Sequence, residues 1–479
     1  MDLVAGVDVA TANVRAMVVD ATGAVLAEAS AALPQPVTPR AGWVEQDPRA
    51  WWPAVASALG RATEALGGLS RSIVAVAVCA TSGTVMVLDA DGKAAGPALL
   101  YSDQRATQEA AIAQTAGEAR WRRLGLHIQP SFGLPKAGWL CREHPDAARM
   151  AHVSDVVVGR LIGRSAPTDW SHALKSGYDP DRREWATEAL EALGIRGELM
   201  PEVLQPTESA GEVTATAAAE TGLPVGCQVR LGMTDACASQ LGAGASEPGQ
   251  FVSVLGSTLA IKGVSRDLVV DPAGAVYSHR HPDGWWMPGG ASSTGAGILE
   301  HEFAGRDLRQ LDDRAARRGP ADVVTYPLAG RGERFPFSVP DAEGFWLGEP
   351  ADQVEKYRAT LEGVAFVERL ALERLVSLGC DIRPPISLAG GGSRSAVWNG
   401  IRAKVLGHPV VAKPTATTAL GACILAAAET IHPDLAAATR CMSVSGTEVD
   451  PDDGSDARVL EDSYNRFVTA LTQRGWLDW

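Results

Sequence analysis

The sequence predicts an α/β protein with two domains and a cleft between them. Strand-like segments rich in Val and Ala alternate with helical patterns along the chain, and this alternation is typical of α/β folds. The order strand, small-residue turn, strand at the start of the chain returns in the second half, at residues 249–265. A chain of 479 residues is also longer than one hydrophobic core usually serves, so we expect two domains.

The first half begins with a predicted pair of strands. The segments "LVAGVDV" and "RAMVVDATGAVLAEAS" read as strands joined by a tight turn at residues 11–13. A helix follows, with Asp47 as its N-cap and Pro48 at its first position. Two further strands then flank a loop of small residues at 80–84.

The second half is predicted from the same signals. Its elements are a strand–turn–strand unit at 249–265, a helix at 354–378, a strand at 386–389, a turn at 390–393, a helix at 394–406 closed by Gly407, and a helix in "TTALGACILAAAE". That last helix is apolar or small on nearly every side, which predicts that it is buried.

Composition and charge exclude several classes of protein. A formal net charge of −14 speaks against a nucleic-acid binder, because phosphate contacts need clustered Lys and Arg. No apolar run reaches the roughly 18 residues of a membrane span, and the N-terminus lacks a secretory pattern. The seven cysteines are scattered and form no C-x-x-C pair, which indicates free thiols and a cytoplasmic location.

Three turns rich in small residues point to phosphate binding. They lie in "DVATANVR", "LGSTLA" and "AGGGSRS", each directly after a predicted strand. In such turns several backbone N–H groups can converge on phosphate oxygens without a large side chain in the way. One such turn is usually only a turn, but three of them with Asp8 beside the first favour a nucleotide site. No P-loop motif occurs.

Asp235 has two interpretations. It follows a predicted strand at 228–232 and opens an Ala-rich helix in "GMTDACASQ". Aspartate is a common N-cap, which would explain the residue without any function. It could equally serve as a general base that takes a proton from a substrate hydroxyl.

The motifs as a set resemble one known family. They are "GVDVATANVR", "GWVEQDPRAWW", "CATSGTVMVLDADGKAAGPALLYSDQRA", "GMTDACASQLGAGASEPGQFVSVLGST", "RGERFPF" and "GGGSRSAVWNGIRAKVLGHPVV". In this order, and over nearly the whole chain, they resemble the FGGY carbohydrate kinases. The resemblance implies two actin-like (ribonuclease H-like) domains, 1–243 on the sugar and Mg²⁺ side and 244–479 on the ATP side. It also implies transfer of the ATP γ-phosphate to a sugar or polyol hydroxyl.

The resemblance assigns roles to individual residues. Asp8 and Thr11 match the first phosphate turn, which Arg15 closes, and Asp235 matches the catalytic base. The resemblance implies that Asp8, Thr11 and Asp235 are catalytic residues. It also implies that the two aspartates hold Mg²⁺. The residues expected to bind the nucleotide are Thr11, Arg15, Gly256, Ser257, Thr258, Gly390, Gly391, Gly392, Ser395, Trp398 and Asn399.

One position departs from the family pattern. The family usually has glycine before Thr11, where this chain has Ala10. If the backbone there needs a positive φ, alanine costs about 1 kcal/mol or more and shifts the loop. With an ordinary φ the change is harmless.

A finer resemblance bears on the sugar. Xylulokinases usually carry a Met-His pair in the loop that here reads "CATSGTV", so Thr81 and Ser82 make a different pocket wall. The segments "TDWSHALKSGYDPDRREW", "PGGASSTGAG" and "YPLAGRGERFPF" resemble most closely the D-ribulokinase-like branch of plant and cyanobacterial sugar kinases, with the xylulokinases next. This resemblance implies that Ser82 contacts the sugar together with Asp8 and Asp235. Asp103 and Arg105 in "YSDQR" match the sugar-contacting motif of xylulokinases and glycerol kinases, which leaves a mixed pocket open. Ser82 alternatively serves only the turn. His172 and Lys175 are expected on a solvated helix face, with a place in the lining of the sugar site as the alternative for either.

The leading interpretation is an ATP- and Mg²⁺-dependent kinase that converts D-ribulose to D-ribulose 5-phosphate, with Asp235 as general base. D-xylulose, or another sugar or polyol, is the alternative acceptor. A catalytically weak, actin-like sugar-binding protein that depends on nucleotide is the second alternative. The expected partners are the sugar and ATP, without nucleic acid or membrane, and a homodimer is left open.

Overall fold

The computed structural model describes residues 1–451 and 454–477 and confirms the α/β class. The described chain divides into two compact units. The first comprises Met1–Gly244, His279–Gly284 and Thr417–Ser443, and the second comprises Ala245–Ser278, Trp285–Ala416 and Val444–Trp479. The predicted division after residue 243 lies next to the end of the first long segment. The first unit also takes in Thr417–Ser443, which the sequence analysis placed with the second domain.

The strands of both units are numbered along the chain. They are β1 (Leu3–Val9), β2 (Asn13–Asp20), β3 (Val25–Ala32), β4 (Glu45–Gln46), β5 (Ile73–Ala80), β6 (Val85–Leu88), β7 (Ala98–Leu99), β8 (Arg149–His152), β9 (Thr168–Asp169), β10 (Tyr178–Asp179), β11 (Glu184–Trp185), β12 (Val203–Leu204), β13 (Ser209–Glu212), β14 (Gln228–Arg230), β15 (Phe251–Leu255), β16 (Leu259–Gly263), β17 (Tyr277–Arg280), β18 (Trp286–Ala291), β19 (Val324–Glu333), β20 (Val339–Leu347), β21 (Ile386–Ala389), β22 (Val410–Ala412) and β23 (Thr447–Val449).

The helices follow the same numbering. They are α1 (Trp51–Leu66), α2 (Thr107–Ala116), α3 (Glu118–Leu124), α4 (Gly133–Glu143), α5 (Val153–Ile162), α6 (Trp170–Ala173), α7 (Thr187–Ala192), α8 (Ala215–Thr221), α9 (Asp235–Gly242), α10 (Gly297–Glu302), α11 (Leu308–Arg318), α12 (Gln353–Ser377), α13 (Ala396–Leu406), α14 (Thr418–Ala427), α15 (Leu435–Met442) and α16 (Ser455–Gln473).

The first unit is built on a six-stranded sheet with the order β13-β14-β5-β1-β2-β3. Strands β14, β5 and β1 are parallel neighbours, and β2 and β3 continue the sheet antiparallel. Every residue of β1 is buried, because helices cover both faces of a sheet of this kind. This burial explains why its sequence is a continuous Val- and Ala-rich run.

Helix α14 belongs to the first unit because its small residues let it approach closely. A Cβ added at Gly421 would lie 1.8 Å from the carbonyl oxygen of Ala238, so the backbones of α14 and α9 are in direct contact there. A Cβ at Gly6 of β1 would lie 2.8 Å from the Cys423 sulfur. All ten residues of α14 except Thr418 are buried, and the prediction of a buried helix is confirmed.

The second unit is built on a seven-stranded sheet with the order β17-β18-β16-β15-β21-β22-β23. Strand β15 runs parallel to β21, which in turn is parallel to β22. Helices α12, α13 and α16 pack around a core that includes Phe366, Trp398 and Phe467. The long helix predicted at 354–378 is therefore present as Gln353–Ser377.

The predicted start of the helix in the first half is confirmed with one refinement. The Asp47 carboxylate accepts a hydrogen bond from the backbone N–H of Arg49 at 3.0 Å. Proline follows in a short 3₁₀ turn, Pro48–Ala50, before the α-helix begins at Trp51. The N-cap and the proline thus act as predicted.

The helix predicted at 394–406 begins two residues later, at Ala396. Ser395 is its N-cap, because the serine hydroxyl accepts a hydrogen bond from the backbone N–H of Trp398 at 3.1 Å. The helix ends at Gly407 in the left-handed conformation, as predicted. Within the described residues, no helix is long and apolar enough to cross a membrane.

Candidate active site

Three parallel strands of the first unit end at the same edge of its sheet. β1 is parallel to β5 along its whole length, and β14 flanks β5 on the other side. Beyond the end of β14, Thr234 forms a bridge with Ala80, the last residue of β5. Asp8, the loop at 80–84 and Asp235 therefore lie at one edge, and ligands bind at the carboxyl ends of parallel strands in folds of this kind.

Asp8 and Asp235 are close enough for their charges to interact. Asp8 is only 8 % exposed. Burial and the charge of Asp235 raise the pKa of Asp8 from 3.8 to about 7, although Arg15 on the neighbouring strand lowers it. A carboxylate in this position is stabilised when a proton or a cation arrives.

Asp235 is the first residue of α9 and not its N-cap. The N-cap position belongs to Thr234, whose side chain makes no capping hydrogen bond. One oxygen of Asp235 accepts a hydrogen bond from the backbone N–H of Ala236 at 2.7 Å, and the residue is half-buried. The N-cap interpretation is therefore wrong, and the general base stays a prediction.

The turn that was predicted to bind phosphate first along the chain tolerates Ala10. The residues other than glycine that have a positive φ in the described chain are Arg183 and Glu429, so Ala10 has an ordinary backbone conformation. Its N–H donates to the carbonyl of Asn13 at 3.0 Å and closes the turn, which carries the half-buried Thr11. The substitution of glycine by alanine at this position carries no conformational cost.

Three hydroxyl groups at this edge have no protein partner. Two belong to the loop at 80–84, and the third belongs to Thr234, which forms a bridge with Ala80. The Ser82 Oγ and Thr84 Oγ1 atoms are buried and make no hydrogen bond, and the same holds for Thr234 Oγ1. Buried hydroxyls usually have a partner. A polyhydroxylated ligand could supply partners to all three.

A buried lysine, Lys136, binds the backbone of the same loop. The ammonium group of Lys136 donates to the carbonyl of Gly83 at 2.6 Å and to that of Leu100 at 2.7 Å. Burial lowers the pKa of Lys136 to about 7, against an opposing effect of Asp103. Sequence reasoning missed this residue, because its context in "GLPKAGWL" reads as an ordinary helix.

Asp103 and Arg105 form a closed ion pair. The Asp103 carboxylate is fully buried and accepts hydrogen bonds from Arg105 and from the backbone N–H of Val44 at 2.6 Å. The Arg105 guanidinium lies over the rings of Trp43 and Trp139, 3.9 and 4.7 Å from their centroids, and its side chain is 1 % exposed. Both carboxylate oxygens of Asp103 thus already have protein donors.

His172 lies in the interior of the first unit. The expectation of a solvated helix face is wrong for this residue, because its ring is fully buried and bonded to Asp169. Lys175 is half-buried and lies 5.4 Å from the centroid of the Phe132 ring. The sequence pattern could not show that His172 is buried, because its helix has only four residues and is too short to display an apolar face and a polar face.

Two of the predicted nucleotide turns are neighbours in the second unit. Val254 of β15 is paired with Ala389 of β21 in parallel, so the turn at Gly256, Ser257 and Thr258 emerges beside the turn at 390–392. Gly390 has a φ of +80°, and a Cβ there would lie 2.6 Å from the carbonyl oxygen of Leu255. Gly391 is exposed, whereas Gly392 is buried against Leu255.

The predicted nucleotide-binding residues after this turn are the half-buried Ser395 and the buried Trp398 and Asn399. The Ser395 hydroxyl donates to Asp312 at 2.8 Å as well as capping α13. The indole of Trp398 is buried in the core and donates to the carbonyl of Leu361 at 3.0 Å. The Asn399 side-chain amide donates to the carbonyl of Ser393 at 2.8 Å, while its buried Oδ1 atom has no partner.

The donor set at the first site fits Mg²⁺. Among the described residues no group of three or more His, Cys, Asp or Glu side chains surrounds a common point. Asp8 and Asp235 supply two hard oxygen ligands, and Mg²⁺ is commonly held by one or two carboxylates together with substrate phosphates and water. Burial and the charge of Asp235 raise the pKa of Asp8, so a bound cation would stabilise its charged form.

Comparison with known proteins identifies related sequences. The sequence model of the FGGY family of carbohydrate kinases, N-terminal domain, matches residues 3–242, and that of the C-terminal domain matches residues 251–430. A xylulose kinase of Streptomyces coelicolor is 32 % identical over 452 residues, which cover 91 % of this chain and 90 % of that protein.

Solved structures with the same fold cover nearly the whole chain. A xylulose kinase from Rhodospirillum rubrum has a TM-score of 0.88 and 28 % identity, with 98 % of each chain covered. A xyloylose kinase from Brucella ovis has a TM-score of 0.89 and 27 % identity, covering 99 % of this chain and 100 % of that one.

Proposed function

Because the chain belongs to the FGGY family of carbohydrate kinases, we propose that it is a pentulose kinase that phosphorylates D-xylulose. The observation that carries this choice is the similarity to the Streptomyces coelicolor xylulose kinase, at 32 % identity over 91 % of the chain. D-ribulose is the second candidate. Thr81 and Ser82 favour it, since they replace the Met-His pair usual in xylulokinases, and the D-ribulokinase-like branch stays a prediction.

Asp235 is the general base in this proposal. Its half-buried carboxylate lies at the edge where the parallel strands end, and the loop with the unpartnered hydroxyls of Ser82 and Thr84 follows β5 at the same edge. There it would accept the proton of the sugar hydroxyl as that oxygen attacks the γ-phosphate. The hydroxyl at carbon 5 is the acceptor that the family resemblance implies.

Asp8 and Asp235 would hold Mg²⁺ at the same edge. A bound Mg²⁺ neutralises charge on the transferred phosphoryl group and on ADP as it leaves. The role of Asp8 is to bind that cation while its own charge offsets Arg15 on the neighbouring strand. The backbone of the turn at Ala10 and Thr11 leaves room for a phosphate, because neither residue has a large side chain.

The nucleotide is assigned to the turns of the second unit. Backbone N–H groups at Gly256, Ser257 and Thr258 and in the turn at 390–392 suit phosphate and ribose oxygens. The buried Oδ1 of Asn399 is an acceptor that an adenine amino group would satisfy. Trp398 lies behind this surface in the core, and Ser395 fixes the helix that carries both residues.

The sugar side is assigned to the loop at 80–84 rather than to the ion pair nearby. Ser82 has an unpartnered hydroxyl, whereas the oxygens of Asp103 are occupied by Val44 and Arg105. We therefore give Asp103 and Arg105 the task of supporting the loop at 100–105, and Ser82 the contact with the sugar.

A coupled ADP-release assay with Mg·ATP tests the choice of sugar. The acceptors are D-xylulose, D-ribulose, L-ribulose, ribitol and glycerol, each over a range of concentrations. We expect kcat/KM for D-xylulose to exceed that for every other acceptor by at least about tenfold. A preference for D-ribulose would replace the proposal by its second candidate. A preference for ribitol or glycerol would overturn the pentulose assignment.

A further inference from the structure

A chain of buried polar groups lies beside the proposed base. Asp169, Ser171 and His172 come at the start of α6, and each is at most 1 % exposed. None of them has a role in the phosphoryl transfer described above. Their hydrogen bonds nevertheless end at the two residues that bring the edge of the sheet together, Ala80 and Thr234.

Ser171 connects Asp169 to the backbone in front of Asp235. The Thr234 N–H donates to Ser171 Oγ at 2.9 Å, and the Ser171 hydroxyl donates in turn to Asp169 Oδ1 at 2.5 Å. The directions are fixed, because a backbone N–H can only donate and a carboxylate accepts. The same Asp169 oxygen accepts from the backbone N–H of Ser171 at 2.8 Å, which holds the serine in place.

His172 holds the other oxygen of Asp169. Its Nδ1 is bonded to Asp169 Oδ2, and its Nε2 lies 3.3 Å from the carbonyl oxygen of Ala80. Both ring nitrogens face acceptors, so the geometry suits a doubly protonated ring. Burial lowers the pKa of His172, but Asp169 outweighs this effect with help from Asp155, and the net shift is upward.

The segment before α9 needs such support. Thr234 makes no side-chain cap, so the first turn of α9 is not fixed by its own N-cap residue. Gly232 packs directly on β5, where an added Cβ would lie 2.0 Å from the carbonyl oxygen of Val78. The backbone is thus clamped at Gly232 and again at Thr234, and Asp235 follows immediately.

We propose that Ser171, held by Asp169 and His172, is a positioning residue that sets the direction of the Asp235 carboxylate through the backbone of Thr234. This inference rests on the proposed role of Asp235 as base. Misplacement of a catalytic group by about 1 Å can lower the rate about a hundredfold. This chain of hydrogen bonds from His172 through Asp169 and Ser171 to Thr234, called the relay below, should therefore affect turnover more than the binding of ATP.

The test compares Ser171→Ala with two control variants. All are measured in the full-length enzyme with Mg·ATP and the preferred pentulose. Ser171→Thr keeps the hydroxyl, and Ser154→Ala removes another buried serine hydroxyl of the same unit, whose contact with Asp155 is 3.4 Å long. We expect Ser171→Ala to lower kcat by about 10- to 100-fold, with KM for ATP within about twofold. Ser171→Thr should recover most of kcat, and Ser154→Ala should keep it.

A second variant removes the other end of the hydrogen bond. Thr234 has a φ of −60°, which proline can adopt, so Thr234→Pro deletes the N–H and places the proline Cδ where the amide hydrogen faced Ser171 Oγ. Its kcat should fall as in Ser171→Ala, and the double variant should be no slower than the slower single variant, because both remove one bond. If Ser171→Ala does not fold, Ser171→Cys decides in its place, because a thiol fills the same space but is only a weak acceptor, and Thr234→Ala is the reference for Thr234→Pro.

The outcomes separate this inference from the proposed function. Wild-type kcat in Ser171→Ala or Thr234→Pro, while Asp235→Asn is inactive, overturns the relay and leaves the base. Full additivity in the double variant also overturns it. Retained turnover in Asp235→Asn would instead remove the base on which the relay acts.

Discussion

At the scale of residues, two carboxylates of the first unit repel each other across the end of the parallel strands. Burial and the charge of Asp235 raise the pKa of Asp8, so a bound proton stabilises this pair of carboxylates. In the proposed phosphoryl transfer, a cation bound at this site would neutralise charge on the phosphates. The same feature makes the stability of the unliganded protein depend on pH.

Substitution of Asp8 by Asn should remove the part of the pH dependence of stability that Asp8 causes. The Asp8 pKa is about 7 in the folded chain against 3.8 for an ordinary aspartate, so the folded state binds the proton more tightly. Its contribution to stability is therefore present at acidic pH and is lost as the pH rises through about 7. Without Mg²⁺ or ATP, Asp8→Asn should have a higher Tm than the wild type at about pH 8, and the difference should shrink towards about pH 5.

Asp352→Asn is the matched control. Hydrogen bonds from the backbone N–H groups of Glu355 and Val354 lower the pKa of Asp352. Its contribution is present at neutral pH and is lost as the pH falls, so this variant should not raise Tm at about pH 8. An Asp8→Asn difference that is the same at all pH values would contradict the account of Asp8.

The sequence revealed some residues of this site and hid others. Asp8 and Asp235 stand at strand ends followed by small residues, which is visible in a linear pattern. His172 and Lys136 were not recognised, because a single polar residue among apolar neighbours does not show whether its partners come from distant segments. Lys136 is bound by carbonyls 53 and 36 positions away.

At the scale of elements, the second unit presents two glycine turns from adjacent parallel strands. The β15 and β21 strands are in register at Val254 and Ala389, so their following turns emerge side by side. The sequence predicted both strands and both turns from local signals. It did not predict that α14 packs in the first unit, because that depends on the fit of Gly421 against Ala238.

Gly390→Ala should disturb the turn after β21. The residue has a φ of +80°, and the new Cβ would meet the Leu255 carbonyl oxygen at 2.6 Å. We expect a loss of stability of at least about 1 kcal/mol and an increase of KM for ATP, measured by thermal unfolding and by steady-state kinetics.

Gly400→Ala is the control for this prediction. Gly400 lies within α13 and has nothing within 4 Å of an added Cβ. Alanine is favoured over glycine in a helix by about 0.5–1 kcal/mol, so Tm should not fall. Equal losses in both variants would show that the turn has no special conformational requirement.

At the scale of the whole molecule, the chain is a carbohydrate kinase of the FGGY family that combines two kinds of unit. The first unit holds the carboxylates and the unpartnered hydroxyls of Ser82 and Thr84, which suit a metal and a sugar. The second holds the paired glycine turns, which suit a nucleotide. The central claim of the proposed function is that Asp235 activates the sugar hydroxyl for attack on ATP.

The most direct test measures ADP release with Mg·ATP, with and without D-xylulose, for the wild type and Asp235→Asn side by side. General bases contribute about 10²- to 10⁴-fold, so we expect sugar-dependent release by the wild type and at least about a hundredfold lower kcat in the variant. ATP binding without Mg²⁺, measured by calorimetry, should be similar in both, because Asp235 is assigned to the cation and the sugar and not to the nucleotide. Sugar-dependent release by Asp235→Asn at the wild-type rate would contradict the account.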